Sequence, residues 1–573
     1  MCRKIFERSW ANWVAIALLA AVLFGIGLGG RPYSAPSESR YIEIGREMAE
    51  SGDYVTPRLD YVKYFEKPAL FYWVQAASSK YLGIDPFSAR VPTAFFAVLL
   101  CVLTYLLGEM LYDRLTGWLS ASILATTLYV FALSRIVLVD MPVSVFLVAT
   151  LSAFLYAATR PAGSKRTVVI YAMYAAAAGA VLSKGLIGMV LPGAIVLVWL
   201  AMTKKWKLLA EMRIPTGLVL FLLIAVPWHV LVVQRNADFL QFYFVREHFQ
   251  RYLTKIEGRY QPPWFFVTVL VAGLFPWVSF AWQGASSGLK GFWEARKTDG
   301  VQLFLVIWMV FIFVFFSLSD SKLIPYILPI WPPLTVLIGR YFAGIWREQE
   351  VKGFGIGFAV LLLLLAATAI MPSVFAGTMD RSSKVMVAIE QGGDDVRNFS
   401  LVAMFLAASL LVTYIQGKRH HLVIAMIVAA GVLVQMGDMV ASHYNKDSME
   451  KIAGAIKQLD KPGDEVVLFD EYYQDLPIYL ARKVSVVSWQ GTELTFGATH
   501  GDTAGWMIND EEFWKRWLKD DHLMFVVMRE ESYKRVTKDK SPQELHLYGV
   551  TQSGRNILFM NQLSNNTVGM VKK

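Results

Sequence analysis

Residues 31–80 read RPYSAPSESRYIEIGREMAESGDYVTPRLDYVKYFEKPALFYWVQAASSK and lie between a first apolar run at 13–28 and a long series of further apolar runs. At about fifty residues the stretch is far longer than ordinary connections, which rarely exceed about a dozen residues. It carries Glu38, Arg40, Glu43, Arg46, Glu47, Arg58, Lys63, Glu66 and Lys67 among tyrosines and prolines. Ionisable groups beside hydrocarbon are costly and are usually retained for function. The stretch is therefore either a solvated surface loop or part of a site at a membrane face.

The flanking sequence settles the membrane. Of the 573 residues 55% are hydrophobic and 17% charged, with mean hydropathy +0.43, whereas soluble domains carry about 25% charged residues. Runs at 13–28, 217–233 and 353–376 approach or exceed the roughly 17–25 residues that cross a bilayer. About thirteen spans are expected, near 11–29, 91–110, 116–134, 137–158, 167–183, 185–202, 214–234, 263–284, 301–318, 323–345, 354–377, 399–416 and 421–441. The two spans flanking Ser183, Lys184 and Gly185 are short enough to form a broken or re-entrant unit. No small-residue cleavage site follows the first run, so it reads as an uncleaved span. Cys2 and Cys101 offer no disulfide framework and no cysteine metal site. The net charge of +10 sits in the turns, and no nucleic-acid partner is expected.

With the N-terminus in the cytoplasm, Arg3, Lys4, Arg8, Arg114, Lys165, Arg166, Lys204, Lys205, Lys290, Lys352, Lys418 and Arg419 all fall in cytoplasmic segments, as the positive-inside rule requires. External loops at 31–90, 235–262 and 378–398 and the C-terminal tail then share the opposite face. Residues 1–441 read as the transmembrane domain and 442–573 as a soluble α/β domain. In the latter, Asp447, Ser448, Met449 and Glu450 resemble a capping box opening a helix through Leu459. Runs at 465–469, 484–487 and 524–528 read as strands, with helices near 475–480 and 511–518. No glycine-rich phosphate loop follows any of these strands.

Five clusters could carry chemistry. Glu66 and Lys67 stand side by side before Pro68, which holds Lys67 extended or in a turn. Arg246, Glu247, His248 and Arg251 lie among aromatic residues. Arginine is a bidentate partner for phosphate, and His248 could share a divalent metal with a carboxylate such as Glu66; the structural alternative is an interfacial histidine among snorkelling arginines. Asp140, before Met141 and Pro142, is either functional or paired with a base such as Arg135. Lys184 either snorkels or binds an anionic head group. Lys322 and Tyr326 reach an external edge, and all five clusters fall on one face of the membrane.

These motifs resemble one family in matching order. Glu38 to Tyr41, Gly52 to Arg58, Lys63 to Pro68 and Phe71 to Trp73, then Asp140 to Pro142, Ser183 to Gly185, Glu247 to Arg251 and Ser321 to Pro329, are similar to segments of the bacterial aminoarabinose transferases. Those enzymes belong to the lipid-carrier glycosyltransferases of the GT-C fold, which also holds the protein O-mannosyltransferases. The resemblance implies an inner-membrane, multi-pass glycosyltransferase with a periplasmic C-terminal domain, acting as a monomer. Its donor would be a sugar on undecaprenyl phosphate, and its acceptor lipid A phosphate or another periplasmic molecule, such as a protein or glycan. The resemblance implies that Glu66 and His248 hold zinc, and that Lys67, Arg251, Lys184, Tyr326 and Arg40 contact the carrier phosphate. Glu38 and Asp140 become candidates for acid–base work beside Lys67. The family usually carries Asp-Glu where this chain has Ser37 and Glu38. A phosphate acceptor is already anionic and needs no general base, whereas a hydroxyl acceptor does; Ser37 thus favours lipid A phosphate. A transporter would place its ionisable residues at mid-membrane along a path, not on one face.

Overall fold

In a computed structural model of the chain, the described residues are 9–33, 36–243, 260–290, 292–348, 351–378, 393–442, 448–489, 491, 493–501, 503, 505–519 and 522–562. Among them, eight helices are long and apolar enough to cross a membrane, or ten if each of two bent pairs counts as one span. The bent pairs are Arg114–Ala125 with Leu128–Ser134, at 66°, and Phe265–Gly273 with Trp277–Ser286, at 101°. Shorter apolar helices at Trp10–Gly25 and Ile187–Thr203, and the helix Trp331–Trp346 led in by the 3-10 turn Ile324–Ile330, occupy the remaining expected spans. The helix Gly393–Ile415 starts inside the stretch read as the third external loop.

The chain divides into two compact units. The first comprises 1–28, 66–70 and 90–444, and the second 29–65, 71–89 and 445–573. This differs from the expected split at 441, because the stretch 31–90 is not loop but folded chain grouped largely with the C-terminal residues.

The membrane unit packs through small residues. A Cβ on Gly339 would lie 2.3 Å from Ser120 Oγ, and one on Gly117 2.6 Å from the Tyr105 carbonyl oxygen. Close backbone approach of this kind drives helix association where lipid is as apolar as the side chains. Buried Arg135 donates to the Phe24 carbonyl at 3.1 Å and pairs with Asp438 at 3.1 Å. It is therefore not the partner of Asp140.

In the second unit, the helix Ser37–Ser51 ends at Gly52, whose φ of 70° is left-handed, with its N–H returned to Met48 O at 3.1 Å. Asp53 accepts from the N–H groups of Val55 and Thr56, turning the chain. A two-stranded hairpin follows, β1 Arg58–Leu59 against β2 Val62–Lys63. Its tip residues Asp60 and Tyr61 both have positive φ, 50° and 63°, a conformation disfavoured for a bulky side chain such as tyrosine. The C-terminal part forms a mixed six-stranded sheet in the order β5-β4-β3-β6-β8-β7. Its members are β3 Glu465–Phe469, β4 Ser485–Val487, β5 Met507–Ile508, β6 Met524–Arg529, β7 Tyr548–Ser553 and β8 Asn556–Met560. Strands β5, β4, β3 and β6 run parallel, and β8 and β7 are added antiparallel. Phe469, Phe513, Trp517 and Val526 pack in one core under this sheet. The helix expected from a capping box spans Glu450–Leu459, but Asp447 lies outside the described residues. The Met449 N–H is instead taken by buried Asp475 at 2.8 Å.

Candidate active site

In the membrane unit, the helix Ser164–Lys184 stops at Gly185, where φ is 80°, and the next helix begins at Ile187. A Cβ on Gly188 would sit 2.4 Å from the Ala180 carbonyl carbon, so only glycine permits so close a reversal. The turn leaves Lys184 at a helix end. Its Nζ donates to Asp140 Oδ1 in a short charged hydrogen bond and stands 4.5 Å from the centroid of the Tyr326 ring. Asp140 is in the first turn of Asp140–Thr159, where the helix dipole favours a carboxylate. Tyr326 is fixed through the turn Ile324–Ile330, whose Ile324 carbonyl accepts from Tyr129 OH at 2.5 Å, and Tyr129 stacks on Trp331. Three residues expected from separate segments thus meet. Lys184 is balanced by a carboxylate and faced by an aromatic ring, so the cation is held in place with its charge compensated.

The other predicted residues of this unit are placed less tightly. Glu66 and Lys67 are half-buried, and Lys67 Nζ donates to the backbone carbonyl of Glu66 at 2.7 Å. Lys322 donates to the carbonyls of Gln261 and Ser319, which assigns it to fixing the chain. His229 bonds to the Ala225 carbonyl of its own helix at 2.7 Å, in keeping with a structural role. His248 and Arg251 lie outside the described residues.

In the second unit, Glu38 and Arg40 sit on the helix Ser37–Ser51; Glu38 is buried and Ser37 exposed. Arg40 Nε pairs with Glu493, and its NH1 donates to Tyr64 OH at 3.3 Å. Glu493 also accepts from Gln474 Nε2 at 2.7 Å. Further along the helix, Arg46 binds Glu43 through two hydrogen bonds of 2.7 and 2.6 Å and reaches Glu50 at 2.6 Å. Glu47 accepts from the Tyr61 N–H at 3.0 Å. Asp60 Oδ1 accepts from the Val484 N–H at 3.3 Å, and its carbonyl accepts from Trp506 Nε1 at 3.2 Å. These bonds hold the strained hairpin tip.

Burial pushes the Asp60 carboxyl up to about 8, against the Val484 N–H that favours its ionised form. Burial, together with Glu43 and Asp60, holds Glu47 well above the usual carboxylate range. Several charges of the opening stretch therefore serve a buried network. Glu493 and Asp60 carry no sequence signal: Glu493 stands in no motif, and the hairpin tip lacks the glycine that would mark it.

Among the described residues no group of three or more His, Cys, Asp or Glu side chains is disposed to hold a metal ion. Of the pair implied for zinc, Glu66 is described and His248 is not, so the described donors amount to one carboxylate where zinc takes about four ligands. The described residues alone do not make a zinc site, and the chemistry below rests on the protein's own cations.

A family model described as dolichyl-phosphate-mannose-protein mannosyltransferase matches residues 32–243, and one described as aminoarabinose transferase C-terminal domain matches 452–558. The undecaprenyl phosphate-alpha-4-amino-4-deoxy-L-arabinose arabinosyl transferase of Pectobacterium carotovorum subsp. carotovorum is 31% identical over 371 residues, 63% of this chain and 66% of that protein. The match to the protein of the same name from Pectobacterium atrosepticum covers 59% of the relative; the chain thus spans less than two thirds of the length of these first relatives. The protein of that name from Edwardsiella ictaluri is 26% identical over 89% of this chain and 91% of its own. The crystal structure of ArnT from Cupriavidus metallidurans bound to undecaprenyl phosphate superposes with a TM-score of 0.84 at 26% identity, covering 96% of this chain and 98% of that one. The fold, both family models and the whole-length match agree: the chain is similar along nearly its whole length to the aminoarabinose transferases.

Proposed function

We propose that this protein transfers 4-amino-4-deoxy-L-arabinose, or a similar glycosyl unit, from undecaprenyl phosphate to a lipid A phosphate on the periplasmic face of the bacterial inner membrane. The observation that carries the reading is the Lys184–Asp140–Tyr326 cluster, set in a fold that matches a transferase bound to undecaprenyl phosphate along nearly its whole length. Displacing a polyprenyl phosphate at an anomeric carbon builds negative charge on the leaving phosphate. Fixed cations in a partly dry site stabilise that charge where it develops. Lys184 supplies one, and Lys67, Arg40 and Arg251 are the further candidates. A phosphate acceptor brings its own nucleophilic oxygen, which suits a chain with serine at position 37. Glu66 with His248 as zinc ligands remains part of the proposal, tested by metal analysis of the purified protein with and without His248→Ala.

The match of residues 32–243 to the protein mannosyltransferase model favours a second reading, transfer to a protein or glycan hydroxyl. Mass spectrometry of lipid A and of periplasmic glycoproteins from a deletion strain separates the two: loss of an amino-pentose from lipid A supports the first, and loss of a glycan from proteins the second. Purified protein that consumes no undecaprenyl-phosphate sugar with either acceptor refutes both.

A further inference from the structure

We propose that Glu493, in the C-terminal part of the second unit, is a positioning residue for Arg40 and so sets the affinity for the carrier phosphate. The inference rests on the reading above, in which Arg40 contacts that phosphate. Glu493 grips with both oxygens: Oε1 pairs with Arg40 Nε, and Oε2 accepts from Gln474 Nε2 at 2.7 Å. Gln474 is itself buried, directly before the helix Asp475–Leu480. Arg40 is held on a second side by Tyr64, whose OH accepts from NH1 at 3.3 Å and whose ring centre lies 6.0 Å from the guanidinium carbon.

The Arg40 and Glu493 side chains are each only 12% exposed, which separates this pair from the screened surface pairs that contribute little. Arginine has much rotamer freedom to lose on binding a ligand. A guanidinium already clamped at Nε and NH1 loses less when an anion arrives, and pre-organisation of this kind raises affinity. The domain that shows no nucleotide or catalytic motif thereby acquires a part in donor recognition.

The test uses full-length protein in detergent, with undecaprenyl phosphate as the probe and donor KM and kcat measured on the same samples. Glu493→Ala is expected to weaken binding about five- to tenfold, the cost of ordering one rotamer-rich side chain when the anion arrives, and to raise KM with kcat unchanged. Glu493→Gln, which keeps one acceptor oxygen but no charge, should recover part of the loss. In an Arg40→Gln background, Glu493→Ala should cost nothing further. The inference is overturned if Glu493→Ala binds as tightly as wild type, if kcat falls at constant KM as for a merely destabilised protein, or if its effect persists without Arg40. Wild-type protein that fails to bind the lipid overturns the proposed function and this inference with it, whereas a binding wild type with an unaffected variant overturns this inference alone.

Discussion

Replacing Asp60 by asparagine should change how the stability of the second unit responds to pH. Asp60 is fully buried, with Glu43, Glu47, Arg46, Lys483 and Tyr472 as its charged and titratable neighbours. Its folded pKa of about 8 stands above the ordinary carboxylate value of 3.8. The folded state therefore holds a proton that the unfolded state has released, and stability falls as pH rises between those values. The slope is about 1.4 kcal/mol per pH unit, so from pH 6.0 to 7.5 this one group removes about 2 kcal/mol. For a unit of this size that is about 4–8 °C of melting temperature. Asparagine keeps the carbonyl that accepts from the Val484 N–H and has no proton to lose. Thermal melts followed by intrinsic fluorescence in detergent should show the gap between Asp60→Asn and wild type widening by that amount across the interval, with the variant the more stable at pH 7.5. Parallel curves would refute the buried-proton account, because Asp60 would then be ionised at both pH values.

Other consequences are simpler to test. Lys184→Met should cost about 3–5 kcal/mol by leaving Asp140 as an uncompensated buried charge, and adding Asp140→Asn should return stability on thermal melts without returning transfer. Glu66→Ala and Lys67→Ala should each abolish transfer while gel filtration and melting stay unchanged; normal activity in both removes them from the site. Gly117→Val places a side chain against the Tyr105 backbone oxygen, where even a Cβ lies at 2.6 Å, and should destabilise the membrane unit by about 1–3 kcal/mol.

Sequence patterns that act locally were readable. Apolar run length located the helices to within a few residues, as at 301–318 against Val301–Leu318, because hydrocarbon demands it independently of neighbours. The strands at 465–469 and 524–528 were legible for a similar reason: buried parallel strands are continuous β-branched or apolar runs. What failed was pairing between distant residues. Arg135 is five residues from Asp140, and proximity in sequence suggested a pair, yet the geometry gives Arg135 to Asp438 and Asp140 to Lys184. The stretch 31–80 was misjudged as loop because its helix Ser37–Ser51 buries glutamates and an arginine. Hydrophobic periodicity is blurred in a helix that buries Glu43, Arg46 and Glu47 beside Ile42, Ile44 and Met48, with Arg46 paired inside the helix and Glu47 held by the Tyr61 N–H. Of the charges that made the stretch conspicuous, Glu43, Arg46 and Glu47 belong to that network.

Ser37 offers a way to decide the acceptor from the protein side. It is exposed and opens the helix Ser37–Ser51, with Glu38 as the acidic residue of the first turn. A carboxylate introduced there lies at the positive end of the helix dipole, so Ser37→Asp should be tolerated and should add about 0.3–1 kcal/mol of stability. Its effect on rate depends on what must be deprotonated. With a hydroxyl acceptor, a base worth about 10²–10⁴-fold would be added, and transfer to a protein or glycan should rise steeply. With a phosphate acceptor no proton has to leave, and a further negative charge can only repel the incoming lipid. The reading proposed above therefore requires that Ser37→Asp leave lipid A modification unchanged or slower in a side-by-side transfer assay. A large gain with a hydroxyl acceptor would mean that this chain has kept the architecture of a lipid-modifying enzyme while serving another substrate.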